Sequence, residues 1–308
     1  MDVVSDVVGV EFAVIALIEF LEVASVFKCM HPLHLTRGGS PIDVPCGKCV
    51  GCLARRRSDW FVRLLAEFRA CQTCVFITLT YNEESAPKNQ SCSRDDITNF
   101  VRRLKRSIGQ QEKPLRYFIS SEYCPTSGRP HYHGFLFNVP LSWKGIDFYQ
   151  RRIESVWSNG FVTCSPPSFA RFNYVVKYCL GLSGDFGVKV RPFLVANRRP
   201  AIGSVFLTDA MVNHLRETFK GRINYQGYIR PLPRYYESKV WSSEELKLRN
   251  LEHRVTERMQ FINEAFESIE NGTHKEFCDK LLLEKQYLDQ QEKTVLKHIK
   301  KQSFNSDL

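Results

Sequence analysis

His131-Tyr132-His133-Gly134-Phe135-Leu136-Phe137-Asn138-Val139 decides the fold, because its apolar and aromatic residues predict a strand that opens on two histidines. Side chains two apart on a strand leave the same face, so His131 and His133 can reach one ion. Upstream, Leu115–Ser121 predicts a second strand, and Pro125, Gly128 and Pro130 mark the turn between the two. A hairpin of these strands brings Glu122, nine residues before His131, toward the same ion. Two imidazoles and a carboxylate on a sheet face form an open donor set that leaves positions for a substrate oxygen.

Further strands and helices fit around this hairpin. Val75–Tyr81 is β-branched and aromatic and predicts a strand. Ser93, with Asp96 three residues on, caps a helix whose Ile97, Phe100, Val101, Leu104 and Ile108 share one face. Arg102, Arg103, Lys105 and Arg106 occupy its other face. An earlier helix over 54–70 groups Trp60, Phe61, Leu64, Leu65 and Phe68 and leaves Arg56, Arg57 and Arg63 outward. A helix over 146–157 and a short strand over 161–164 follow, while 181–240 reads mostly as loop and short strand. From Ser242 to Gln302 the pattern is helical, broken at Asn271-Gly272-Thr273. The fold class is α+β: a central antiparallel sheet with the H-x-H strand in its middle, flanking helices and a helical C-terminal tail.

The segment from Ser165 to Gly181 predicts a helix bearing Tyr174 and Tyr178. Residues four apart stack on one helical face with Cβ atoms roughly 5–6 Å apart, so both hydroxyls can approach one site. Lys177 stands beside them, suited to hold a phosphate or to lower a tyrosine pKa. Taken singly, an H-x-H is often a surface accident and a Tyr-x-x-x-Tyr pair a core stripe. Together with Glu122 they describe a metal-assisted transfer in which a tyrosine oxygen attacks a phosphodiester and keeps the 5′-phosphate. One phosphodiester replaces another, so no nucleotide fuel is needed, and the sequence holds no G-x-x-x-x-G-K-[S/T] loop.

Charge points the same way. Residues 28–241 carry 32 Lys and Arg against 15 Asp and Glu, a net +17 that suits a polyanion. Residues 1–27 hold five acids and no Lys or Arg, and 242–308 hold 11 basic and 13 acidic side chains. Arg55, Arg56, Arg57, Arg102, Arg103, Lys105 and Arg106 are candidate phosphate contacts, with a solvated surface as their plain alternative. The apolar run Val7–Phe27 lacks a basic leader and carries three glutamates, so neither a secretory signal nor a membrane span is expected, and cytoplasm is the expected location. Cys46-x-x-Cys49-x-x-Cys52, with Cys29 upstream, has the spacing of a structural zinc site, for which His31 or His34 are substitutes for Cys29; reduced thiols are the alternative. Cys71-x-x-Cys74 reads as packing.

Phe76-Ile-Thr-Leu-Thr-Tyr81, Arg129-Pro-His-Tyr-His-Gly134 and Tyr174-Val-Val-Lys-Tyr178 resemble the three motifs of HUH endonucleases that initiate rolling-circle replication. More narrowly, the chain resembles the replication initiators of gokushovirus-like microviruses. These also carry counterparts of Pro45–Cys49, Ser121–Tyr123 and Pro200-Ala-Ile-Gly203. The resemblance covers residues 29–205. It implies His131, His133 and Glu122 as ligands of Mg or Mn, Tyr174 and Tyr178 as nucleophiles, and Lys177 as the motif lysine. It also implies single-stranded DNA at a replication origin as substrate, a host helicase and polymerase as partners, and the host bacterial cytoplasm as location. Gly181 stands where a lysine would complete the pattern for Tyr178, and Ala201 replaces a glycine.

The expected organisation is an acidic helical extension over 1–28, a cysteine cluster and basic helix over 29–70, a nuclease core over 71–205, a basic aromatic loop region over 206–241 and a helical tail over 242–308. Two rival readings are a non-catalytic, zinc-stabilised nucleic-acid-binding protein and an iron oxygenase using the two histidines and Glu122.

Overall fold

The computed structural model describes residues 29–37, 39–124, 127–178, 189–225, 228–273 and isolated positions from 275 to 294. The extension over 1–28 and the expected stop at Gly181 lie outside the described residues. The chain divides into two compact units, one spanning 60–211 and the other combining the described parts of 1–59 and 212–295.

In chain order, strands β1 (Leu33–Arg37) and β2 (Ser40–Val44) precede helix α1 (Val50–Ala70), within which the division falls. Then come β3 (Cys74–Tyr81), α2 (Arg94–Ile108), β4 (Arg116–Tyr123), β5 (Pro130–Phe137), α3 (Ile146–Glu154), β6 (Gly160–Ser165), α4 (Phe169–Tyr178) and β7 (Leu194–Ala196). Helix α5 (Asp209–Thr218), strands β8 (Arg222–Tyr225) and β9 (Tyr228–Pro231), and helices α6 (Arg234–Val240) and α7 (Ser243–Glu270) complete it.

In the 60–211 unit, five antiparallel strands run in the order β6-β3-β5-β4-β7, which puts the H-x-H strand at the centre. Strand alternation gives the sheet two different faces. On one, Val75, Ile77, Leu79, Tyr132, Leu136 and Ile119 pack against Ile97, Phe100, Val101 and Leu104 of α2 and against Ile153 and Trp157. Helix α2 starts where expected: the Ser93 hydroxyl accepts from the Asp96 N–H at 3.1 Å. On the other face, Phe172 of α4 stacks on Phe135 at 4.2 Å and Trp60 of α1 meets Phe118 edge-on. This cover leaves the His131 end of the face open. Gly134 sits beside His133 because only a hydrogen fits there: a Cβ would stand 2.3 Å from the Phe118 carbonyl oxygen and 2.7 Å from the Ile119 Cα.

A buried ion pair fixes the Pro200–Gly203 loop on the same unit. Glu67 of α1 pairs bidentately with Arg116, the first residue of β4, and both are nearly buried. Arg116 also donates to the carbonyls of Pro200 at 3.1 Å and Ala201 at 2.9 Å, and the Gly203 N–H donates to Glu67 at 2.8 Å. Ile202 between them is fully buried. The hydrogen bonds on every side compensate the desolvation of the two charges.

The other unit corrects the reading of 206–241 as mostly loop. That stretch forms α5, the β8–β9 hairpin and α6, with Leu215, Leu232, Tyr236, Val240 and Trp241 buried. Its elements are short and locally weak, and pairings distant in sequence stabilise them. Arg249 of α7 donates to Glu237 at 2.7 Å and lies over the Trp241 ring at 4.6 Å. Helix α7 opens on a capping box: the Ser242 hydroxyl accepts from the Glu245 N–H at 3.2 Å while the Glu245 carboxylate accepts from the Ser242 N–H at 2.6 Å.

Candidate active site

The register of β5 against its neighbours builds the site. His133 lies opposite Thr78 of β3 and Ser120 of β4; His131 lies opposite Thr80 and Glu122. Directly opposed residues project to the same side, so all six share the open face. Thr78 Oγ1 is 3.0 Å from His133 Nδ1 and Thr80 Oγ1 is 2.9 Å from His131 Nδ1. Each threonine thus occupies one ring nitrogen and leaves Nε2 turned to the site. When Nε2 holds a cation, Nδ1 carries the proton and donates to the threonine. His131 and His133 stand 6.2 Å apart between ring centroids.

Glu122 comes to the same place. Its Oε2 is 3.3 Å from His133 Nε2 and accepts a hydrogen bond from the Tyr174 hydroxyl at 3.1 Å. The Tyr174 ring meets the His133 ring edge-on at 5.2 Å. Helix α4 is held down by buried Phe172, Val175 and Val176, and this seating points Tyr174 at the sheet while leaving it 38% exposed. The other nearby phenols are unsuited to attack. Tyr132, between the two histidines, faces the core, where its hydroxyl meets the Tyr81 hydroxyl and the Ser93 carbonyl. Burial pushes both Tyr81 and Tyr132 well above the usual phenol pKa.

The remaining candidates separate. Lys177 is exposed on α4; Tyr178 ends that helix, and its side chain lies outside the described residues. Arg102, Arg103, Lys105 and Arg106 sit on α2, behind the sheet and away from the imidazoles. There Arg103 donates to the Val156 carbonyl at 3.1 Å and Lys105 lies over the Tyr117 ring at 5.3 Å. Arg55 is engaged inside its own unit, with Asp59 at 3.1 Å and the Leu232 carbonyl at 2.8 Å, whereas Arg56 and Arg57 are exposed. The Cys29, Cys46, Cys49 and Cys52 sulfurs converge within 4.8 Å of one another, a geometry that can hold a metal ion. Among the described residues no helix is long and apolar enough to cross a membrane.

Sequence reading missed Thr78 and Thr80 as site residues, although the signal was present. They stand two apart on a strand antiparallel to one whose histidines are also two apart. It also missed Phe161, opposite Thr80 on the edge strand β6 and 67% exposed on the site face.

A five-stranded antiparallel sheet with helices on its faces and an open donor set on its central strand defines an α+β protein of the HUH-like fold. The family model for replication-associated proteins of the ORF2 type matches residues 74–181, which run from the start of β3 past the end of α4. The chain is 32% identical over 151 residues to the replication-associated protein ORF2 of Spiroplasma virus 4, covering 44% of this chain and 47% of that one. It is 24% identical over 217 residues to the replication-associated protein VP4 of Bdellovibrio phage phiMH2K, covering 63% and 66%. To the replication-associated protein ORF4 of Chlamydia phage 1 it is 25% identical over 214 residues, covering 63% and 52%. These matches support a microvirus replication initiator. The chain spans about half to two thirds of the length of these relatives. No solved structure matches.

Proposed function

We propose that this chain initiates rolling-circle DNA replication by nicking and rejoining single-stranded DNA at an origin, with Tyr174 as nucleophile. The observation that carries the reading is the meeting of the Tyr174 hydroxyl, the Glu122 carboxylate and His133 Nε2, at 3.1 and 3.3 Å. Nε2 of His131 and of His133, with Glu122, are the donors for a divalent ion, Mg or Mn; a mixed nitrogen and oxygen set with open positions fits such an ion. When bound, the ion polarises the scissile phosphate and offsets the charge developing on its oxygens.

The chain's own groups supply the rest. Glu122 Oε2, which accepts the Tyr174 hydroxyl, takes the phenolic proton as the oxygen attacks phosphorus. The P–O bond to the 3′-oxygen breaks, the 3′-hydroxyl leaves with a proton, and the 5′-phosphate stays on Tyr174. Rejoining reverses these steps. Lys177, exposed one residue before Tyr178, is placed to hold a phosphate, and Tyr178 is a second nucleophile on the same helix. Phe161 offers a flanking base an aromatic face on the open side of the sheet. Host helicase and polymerase are the partners this chemistry requires, since the chain carries no nucleotide-binding loop.

Incubation with origin-derived single-stranded oligonucleotides and Mn should give a covalent 5′-phosphotyrosine adduct, mapped by mass spectrometry to the α4 peptide. Tyr174→Phe should remove the adduct at position 174, and Tyr174→Phe with Tyr178→Phe should remove all of it. Adducts that persist in the double variant would refute the assignment. Binding without cleavage of any sequence would favour the non-catalytic nucleic-acid-binding alternative, which the cysteine quartet and the basic surplus support.

A further inference from the structure

Nicking leaves one motif unused. Cys29 precedes β1, Cys46 and Cys49 lie in the turn between β2 and α1, and Cys52 is in the first turn of α1. None of the four is in a disulfide. The Cys29 and Cys49 sulfurs are 3.8 Å apart. A disulfide would bring them to ~2.0 Å, whereas a zinc ion with ~2.3 Å bonds to sulfur spaces its tetrahedral ligands ~3.8 Å apart.

The backbone around the quartet is arranged for thiolates. The Cys46 N–H points at Cys29 Sγ at 3.2 Å, the Cys49 and Lys48 N–H groups at Cys46 Sγ at 3.3 and 3.4 Å, and the Met30 N–H at Cys49 Sγ at 3.4 Å. Gly47 makes this turn possible, with φ of +75° between the first two ligands of the C-x-x-C. Cys49 and Cys52 are buried and Cys29 and Cys46 half-buried, so no side is left for a substrate. The sequence left His31 and His34 as alternatives to Cys29. Neither belongs to the quartet: His31 is exposed and His34 pairs with Asp43 at 2.6 Å on the β1–β2 hairpin.

We infer that Cys29, Cys46, Cys49 and Cys52 bind one zinc ion in a closed, structural tetrathiolate site. Four soft sulfur donors in a tetrahedron with no open position suit zinc and exclude Mg and Mn. The ion stands in for a core. Strand β1 exposes Leu33 by 52% and Leu35 by 50%, so the hairpin buries little by itself, and the metal ties both of its ends to the start of α1. This site is independent of the nicking reading.

Full-length protein purified without chelator should retain one zinc per chain through gel filtration, and cobalt exchanged into it should give the spectrum of a tetrahedral tetrathiolate. Cys46→Ser and Cys49→Ser should lose the metal, while Cys164→Ser on β6 and the His131→Ala/His133→Ala double variant should keep it. Because the serine variants can fail to fold, thiol protection in the wild-type chain is the second measurement. The four cysteines should resist iodoacetamide with zinc present and become reactive after its removal, as read by peptide mass spectrometry. Equal alkylation with and without zinc, retention of zinc in the serine variants, its loss in the histidine double variant, or iron in its place would each overturn the assignment.

Discussion

A histidine that binds a cation through Nε2 must carry its proton on Nδ1, and an acceptor beside Nδ1 fixes both the tautomer and the ring. Thr78 and Thr80 are those neighbours for His133 and His131, at 3.0 and 2.9 Å. Valine keeps the shape and β-propensity of threonine and removes only the hydroxyl. The Thr78→Val/Thr80→Val variant should therefore stay folded and still form the Tyr174 adduct at saturating Mn. The Mn concentration giving half-maximal adduct should rise about 10–100-fold, the usual effect of removing such partners. An unchanged Mn midpoint would show that the hydroxyls do not orient the imidazoles. The same scale explains why Tyr132 is no rival to Tyr174 despite lying between the histidines. One step along a strand turns a side chain to the opposite face, and that face is core.

Among elements, legibility followed the range of the forces involved. The strands β3, β4, β5 and β6 and the capped helix α2 were readable because alternation, β-branching and a Ser93 cap act within a few residues. The convergence of Glu122 with the histidines was also readable, since one tight hairpin brings them together. The Glu67–Arg116 pair was not, because 49 positions separate its members and neither stands out in its own segment. Nor were α5 and α6, which rest on distant partners such as Arg249. The Pro200–Gly203 loop was noticed as a motif without a reason; Arg116 supplies it by holding two of its carbonyls. Arg116→Met keeps bulk but leaves Glu67 as an unpaired buried charge and frees the loop. It should cost about 3–5 kcal/mol, seen as a lowered midpoint in urea with an unchanged slope. A midpoint within error of wild type would show that the pair contributes nothing net.

Over the whole molecule the question is where the net +17 of residues 28–241 acts. Sequence alone could not assign the α2 cations to a face; the sheet does. Helix α2 packs on the side opposite His131 and His133, and α4 lies on theirs. A layer of packed side chains is ~10 Å thick, and charges in 0.15 M salt are screened beyond ~8 Å. A short strand lying across the imidazoles therefore gains little from Arg102, Lys105 and Arg106. Each phosphate contact on single-stranded DNA contributes about 0.7 to the slope of log affinity against log salt. The Arg102→Gln/Lys105→Gln/Arg106→Gln variant should keep the wild-type slope on a short origin oligonucleotide, measured by fluorescence anisotropy from 50 to 200 mM salt (roughly the range over which such contacts weaken most visibly). A slope flattened by about 1.4 or more, two lost contacts on that scale, would mean that the strand wraps to the far face and that the α2 cations hold DNA after all.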